Sequence, residues 1–385
     1  IALEKQHLDA IFQISQVSKD LIVAFSAKTA PVSSKKTHSR LPRQKASRAW
    51  CSLASASNTF QCTRMHSPKN TSHPTIIRFH VTRRIIMSKV IVFGSLNMDL
   101  SIESDHMPNL GETIIGRGFI TNPGGKGANQ AVAAAKMSAA VCMLGAVGAD
   151  AFGDQMIAGL AEHGVTCEYI TRSESCPTGV AIITRVCGDN FITIDAGANA
   201  STRIDAVRRA LDEVAEPGDV FLVQLECDYE TTWAALAEAC KRGLYVAINP
   251  APAHEIPEAV LPCLDLVVVN EGECEMMTGI YPADATSARA AADKLKESGV
   301  GCVAITLGAR GSMVFCGNET IESVPPKTRA IDTTCAGDTY IGAMVAGYAR
   351  GLSLADSVAL ATKASAMATT KVGAQQSIPT LAEVE

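Results

Sequence analysis

The sequence predicts an α/β fold: a three-layer sandwich whose mostly parallel central sheet is covered by helices on both faces, with a small β-sheet lid. Three observations carry this. Short uninterrupted apolar runs recur and end in turn residues, as strands buried on both faces do. Segments of helical length separate them, and strands alternating with such helices make βαβ units. Two regions instead alternate with a period of two and have no crossover helix, as a second sheet projecting from the edge of the first would.

The first strand is Val90–Ser95, an apolar run closing in Gly-Ser. The period-two regions are 101–121 and 178–194; in the second, Gly179–Arg185 and Phe191–Ile194 flank a Gly188-Asp-Asn turn, and the pair is read as a lid. Further strands are expected at Val141–Val147, Val220–Leu225, Leu244–Asn249, Leu266–Asn270 and Cys302–Leu307. Helices are expected at Ala128–Met137, Phe152–His163, Ile204–Val214, Tyr229–Arg242 and Ala285–Ser298. From Asp338 to Lys371 the pattern is helical throughout, broken near Gly351, where Ser353 can cap the next helix.

Residues 1–86 read differently. Leu21–Ile86 holds no Asp or Glu amid Lys, Arg, Ser and Thr, which resists core formation and resembles a transit peptide. Because the chain opens on Ile and MSKVIVFGSLNMDL looks like a natural start, these residues are expected to be a disordered or extraneous extension, with the functional domain at 87–385. A net charge of −5 argues against nucleic acid or an anionic membrane as partner and favours a small molecule. Met137–Ala149 is the longest uncharged apolar run and falls short of the ~20 residues a membrane span needs. The 13 cysteines are scattered, with no C-x-x-C, which fits a reducing compartment. A cytoplasmic location is expected, or an organelle if the extension is a real transit peptide.

Two helix mouths carry the chemistry. Thr333-Thr-Cys-Ala-Gly-Asp338 feeds a helix whose first amides lack intrahelical partners, and with the dipole they make an anion site. Asp338 beside that site either caps the helix or takes a hydroxyl proton as the hydroxyl attacks a phosphoryl group; this segment alone leaves both open. Asn122-Pro-Gly-Gly-Lys-Gly-Ala-Asn129 also precedes a helix but fits neither a P-loop nor G-x-G-x-x-G. His106, His163 and His254 have no ligand spacing, so zinc is not inferred.

NPGGKGANQAVAAAK and DTTCAGDTYIGAMVAG resemble the two signature segments of the ribokinase-like, or phosphofructokinase-B type, family of carbohydrate kinases. GSLNMD, TGVA, AGANA, VQLE, NEGE, TLGARG and GAQQSIPT follow in the family's order from about Val90 to the C-terminus, and the set is nearest to members acting on ribose. The resemblance implies transfer of a phosphoryl group from ATP to the 5-hydroxyl of D-ribose, giving ribose 5-phosphate and ADP. It makes Asp338 the base and the amides around Cys335, Ala336 and Gly337 the anion hole. Asn97, Asp99, Gly125, Lys126, Asn129, Ala181 and Glu226 match sugar-holding positions; otherwise Asp99 is a turn residue and Glu226 a solvated strand end. Asn270, Thr306, Leu307, Gly308, Ala309, Arg310, Gly311 and Gly337 match the nucleotide site, with Asn270 and Glu273 placing Mg²⁺. A monovalent cation, K⁺ in type, would sit at Asp332, Thr334, Ala368, Lys371, Gly373 and Ser377. The family's lids commonly pair, so a homodimer is expected.

One departure is Cys335, where the family usually has Gly or Ala; it reads either as a small buried residue in a tight loop or as a helix N-terminal thiol of lowered pKa whose modification blocks the anion hole. Alternatives within the class are kinases for deoxyribose, adenosine, fructose or fructose 6-phosphate. Outside it stands a catalytically silent sugar- or nucleotide-binding regulator.

Overall fold

A nine-stranded sheet runs through the main unit, and its strands form where the apolar runs predict. The computed structural model describes residues 88–187 and 189–385 in full. Of the first 87 residues it describes only the backbone of Ser15–Val17, Asp20–Val23, Asn58–Cys62 and Ile77–Arg83, in a separate unit, Ile1–Ile86. The expectation of a disordered or extraneous extension falls on residues outside those described in full.

In chain order the main unit contains β1 (Val90–Phe93), β2 (Asn97–Ser104), β3 (Arg117–Gly124), α1 (Lys126–Lys136), β4 (Val141–Gly148), α2 (Ala151–Glu162) and β5 (Thr166–Ser173). There follow β6 (Gly179–Val186), β7 (Asp189–Asp195), α3 (Ile204–Val214), β8 (Val220–Gln224), α4 (Tyr229–Lys241), β9 (Tyr245–Asn249), β10 (Leu266–Val269), α5 (Glu271–Thr278) and α6 (Ala285–Glu297). Last come β11 (Cys302–Thr306), β12 (Ser312–Cys316), β13 (Glu319–Ser323), α7 (Ala336–Ala349), α8 (Leu354–Ala368) and α9 (Leu381–Val384). Among these described residues, no helix is long and apolar enough to cross a membrane.

The main sheet has the order β13-β12-β11-β10-β9-β8-β1-β4-β5; all its pairs are parallel except β11–β12 and β12–β13. Alternate residues of each strand serve two cores. Val90, Val92, Leu222 and Val268 face a cluster that includes Met156 of α2 and Ile341 and Val345 of α7, while Ile91, Phe93, Phe221 and Ile248 face Leu211 of α3 and Leu236 of α4. Burial of each such side chain contributes roughly 1.5–3 kcal/mol. Local signals start the helices: the side chains of Asp228, Asp284 and Ser353 accept from the amides of Thr231, Ser287 and Asp356 respectively.

The lid is a second sheet, β7-β6-β2-β3, with β6 and β2 parallel. Its strands begin at Asn97 and extend to Gly124, beyond the 101–121 expected, because β2 and β3 keep pairing down to Asn97↔Gly124 at the mouth of α1. The edge strands β5 and β13 carry no clear apolar run and were not expected; β12 does carry one, Met313–Cys316, and was missed. Across β11 and β12, Cys302 lies opposite Cys316 with Cα atoms 4.3 Å apart, and the two form a disulfide. Strand pairing, not spacing, makes these residues neighbours, so the scattered cysteines gave no hint of it.

Helix α7 lies against α1 with almost no spacing. A Cβ at Gly342 would come within 2.6 Å of the Gln130 carbonyl oxygen and 2.9 Å of the Ala134 nitrogen. Asp338, one turn earlier on the same face, is thereby brought to the mouth of α1. Gly342→Ala should lower stability by about 1–3 kcal/mol in urea unfolding despite alanine's better helix propensity, because the new methyl meets backbone that cannot rotate away.

Candidate active site

The strands β1, β8, β9, β10 and β11 end on one edge of the sheet, and the strand order reverses between β1 and β8, which opens a crevice there. Glu226, just beyond β8, fills it. Its Oε2 accepts from Ser95 Oγ at 2.5 Å, the Lys126 amide at 3.2 Å and Asn97 Nδ2 at 3.5 Å. With its side chain only 7% exposed, it is not a solvated strand end. Gly125 makes this closeness possible: its φ is 87°, and a Cβ there would lie 2.7 Å from the Asn97 nitrogen.

Lys126 Nζ stands 3.9 Å from Glu226 Oε1. Burial works against its charge, but Asp338, Glu226 and Glu273 outweigh it and hold the lysine above its ordinary range. Asp99 sits on β2 in register with Ala181 of β6 and Asn122 of β3. Burial, then the charges of Glu226 and Asp338, push its carboxyl up to about 7, against the pull of Lys126. Four carboxylates, Asp99, Glu226, Glu273 and Asp338, thus share one lysine.

Asp338 lies in the first turn of α7 yet makes no cap. Its Oδ2 accepts from Asn129 Nδ2 and its Oδ1 from Gln130 Nε2, each at 3.0 Å. The Ala336 amide donates to the Thr333 carbonyl at 3.2 Å, whereas among the described residues those of Cys335, Gly337 and Asp338 donate to no protein acceptor. The mouth of α7 therefore offers open N–H groups beside a carboxylate held from the side. Cys335 precedes the helix at φ 63°, a left-handed conformation that suits the glycine expected there. Contrary to the expectation of a lowered pKa, burial first and then the Asp338 charge push its thiol well above the ordinary value.

Three neighbouring cavities meet around these groups. One of about 710 Å³ lies under the lid and is lined by Asp99, Ile183, Arg185, Asp332, Thr334 and Gly373, among others. A small one of about 170 Å³ touches Lys126, Asn249, Asn270, Glu273, Gly337 and Asp338. The third, about 650 Å³, runs from Asn270, Thr306, Gly308, Ala309 and Gly311 to Gly337. Asn270 and Glu273 form a capping box for α5, and burial raises the Glu273 carboxyl pKa. Asp332 accepts from the amides of Thr334 and Gly373, both at 2.9 Å; burial opposes its charge, but these donors hold its pKa below the usual range.

The side chains of some expected residues are engaged outside the cavities. Leu307 is buried in the core, and Arg310 turns away to Glu271 at 3.0 Å. Ala368 is buried at the end of α8, Lys371 pairs with Glu383, and Ser377 donates its hydroxyl to the Ala374 carbonyl. Conversely, Gln130, Gln224 and Asn249 line up behind Asp338 without having been singled out, although Gln130 lies in the segment NPGGKGANQAVAAAK and Gln224 in VQLE. The walls of the large groove, Val324–Thr328 and Thr362, Ser365 and Thr369 of α8, carry no polar pattern that sequence reading could catch.

The model of the pfkB family carbohydrate kinases matches residues 87–381. The chain belongs to this family. Ribokinase from Schizosaccharomyces pombe is 39% identical over 310 residues, covering 78% of this chain and 97% of that one. The crystal structure of ribokinase from Thermotoga maritima superposes with a TM-score of 0.70 at 34% identity, covering 77% of this chain and 98% of its own. That of Arabidopsis thaliana ribokinase complexed with ribose and ATP gives 0.71 at 29% identity, covering 77% and 97%.

Asp99 offers a test of the electrostatics. Its raised pKa means that between pH 3.8 and about 7 the folded protein holds a proton the unfolded chain has lost, so native stability falls as pH rises through that window. Asp99→Asn, which has no proton to lose, should gain in stability over the parent as pH rises from about 4 to about 7 and then level off, by urea unfolding at pH 5, 6 and 8.

Proposed function

We propose that this kinase transfers the γ-phosphoryl group of ATP to the 5-hydroxyl of D-ribose. The observation that carries the reading is Asp338, a carboxylate left free of capping duty and clamped by Asn129 and Gln130 beside the open amides of α7. Asp338 takes the hydroxyl proton as the hydroxyl attacks, and the Gly337 and Asp338 amides receive the charge that builds on the phosphoryl oxygens. Asp99, Asn97 and Asn129 face the acceptor side, where carboxylates and amides suit vicinal hydroxyls. Lys126 stands at the boundary of the acceptor and phosphoryl spaces.

ATP occupies the groove from Thr306 to Gly337. Mg²⁺ fits the phosphoryl space: Glu273 and Asn270 would hold it through waters, in keeping with its preference for few protein ligands, and it would neutralise phosphate charge there. A K⁺-type ion fits the loops that Asp332 ties together, where carbonyl oxygens of Thr334, Ala368, Lys371 and Gly373 and the Ser377 hydroxyl would supply hard ligands. The enzyme works in the cytoplasm, and residues 1–86 take no part in the reaction.

ADP release from MgATP should depend on D-ribose, rise with K⁺ and fall by roughly 10²–10⁴-fold in Asp338→Ala. Greater turnover with deoxyribose, adenosine, fructose or fructose 6-phosphate would change the substrate and keep the mechanism; a folded, ATP-binding protein without turnover would make it a silent regulator.

The lid also supports a homodimer. Ile192 and Ile194 are 57% and 44% exposed on the face that lines the acceptor cavity, at the edge strand β7 of a sheet that would otherwise leave that edge open. Ile192→Asp combined with Ile194→Asp should shift the protein from dimer to monomer in sedimentation velocity and raise the ribose KM.

A further inference from the structure

We propose that Gln130 is a positioning residue for Asp338, an inference that rests on Asp338 being the base. Gln130 is completely buried, and its whole amide is engaged. Its Oε1 accepts from Gln224 Nε2 at 2.6 Å, and its Nε2 donates to Asp338 Oδ1 at 3.0 Å and to Asn249 Oδ1 at 3.3 Å. The Gln224 contact decides which way the amide faces: with the oxygen taken from the β8 side, the NH₂ group must point at α7. Both N–H groups being used, Gln130 has no donor left for substrate.

The opposite oxygen is treated alike. Asn129 Nδ2 donates to Asp338 Oδ2, and Gln375 Nε2, 3.3 Å from Asn129 Oδ1, orients that amide in turn. Two neutral donors from one turn of α1 thus fix the carboxylate at both oxygens while leaving lone pairs to accept a proton. A lysine there would fix it too, but would compete as a charge partner. Asn249 extends the relay to Glu273 Oε2 at 3.4 Å, linking the position of the base to the phosphoryl side. Gln224 itself makes one side-chain hydrogen bond among the described residues, so its amide is committed to holding the Gln130 oxygen.

Gln130→Met keeps the length and removes the donor. In the full-length chain with saturating ribose and MgATP, kcat should fall about 10–100-fold while both KM values stay within about threefold, since misplacing a catalytic group by ~1 Å costs on that order. Gln224→Met, which frees the Gln130 amide to turn, should lower kcat about 3–10-fold with the same split, and it serves as the test if circular dichroism shows Gln130→Met unfolded. Unchanged kcat in the folded variant, or a loss appearing in KM instead, overturns the proposal. Asp338→Asn separates the two readings. If it is inactive while Gln130→Met turns over normally, only the positioning role fails; if Asp338→Asn keeps parental kcat, the base assignment fails and the positioning role with it.

Discussion

The buried carboxylate of Glu226 holds the site together. At the point where the strand order reverses, it receives the Ser95 hydroxyl from the turn after β1 and the backbone amide of Lys126 at the start of α1. The turn, the helix and the end of β8 are therefore fixed to one another by a single charged acceptor, in a place where water cannot substitute. Charge-assisted hydrogen bonds of this kind are stronger than neutral ones, and removing the acceptor would leave buried donors unmet. The position of α1 then sets that of α7, through the backbone contact at Gly342, and so sets Asp338.

This arrangement leaves the acceptor side rich in negative charge. Asp99, Glu226 and Asp338 surround one lysine, and the raised pKa of Asp99 is the physical sign of the imbalance. Hydroxyls can meet carboxylates by donating to them, whereas phosphate oxygens would be repelled. The open amides of α7 lie on the other side of Asp338, where the opposite preference holds, and Lys126 stands between the two. The electrostatics thus sort a neutral sugar from a polyphosphate across about one side chain's width, with the proposed base at the boundary.

Much of the architecture was legible because strands buried on both faces write continuous apolar runs, and α3 falls on Ile204–Val214 as read. Ser353 caps α8 by accepting from the Asp356 amide at 3.1 Å, again as its place before a helical pattern suggested. The edge strand β5 was illegible for the opposite reason: only Ile170 is buried along it, so it has no run to show. At the site, sequence motifs marked Asp99, Lys126, Asn129, Glu226 and Asp338, which the fold does bring together. Gln224 stands inside the VQLE motif but was given no role, and Asn249 looks like an ordinary strand end, until the sheet aligns both under α1. Nor could the motifs show that Arg310 would spend its charge on Glu271.

Cys335 shows how the same constraint governs a residue that composition alone would misjudge. Its left-handed backbone turns the chain into α7 and leaves the following amides pointing outward, a conformation that costs a non-glycine residue about 1–2 kcal/mol. The surroundings hold it there: Asp332 grips Thr334 on one side and Gly373 on the other, and the Cys335 carbonyl accepts both the Thr339 amide and its hydroxyl at 2.8 Å. Burial that fixes the backbone also pushes the thiol pKa up, so the turn that leaves the α7 amides open sits in surroundings that favour the neutral thiol. A glycine would relax the strain but would also widen the range of conformations open to the unfolded chain, so the small gain in native geometry is offset where the loop is already tied at both ends.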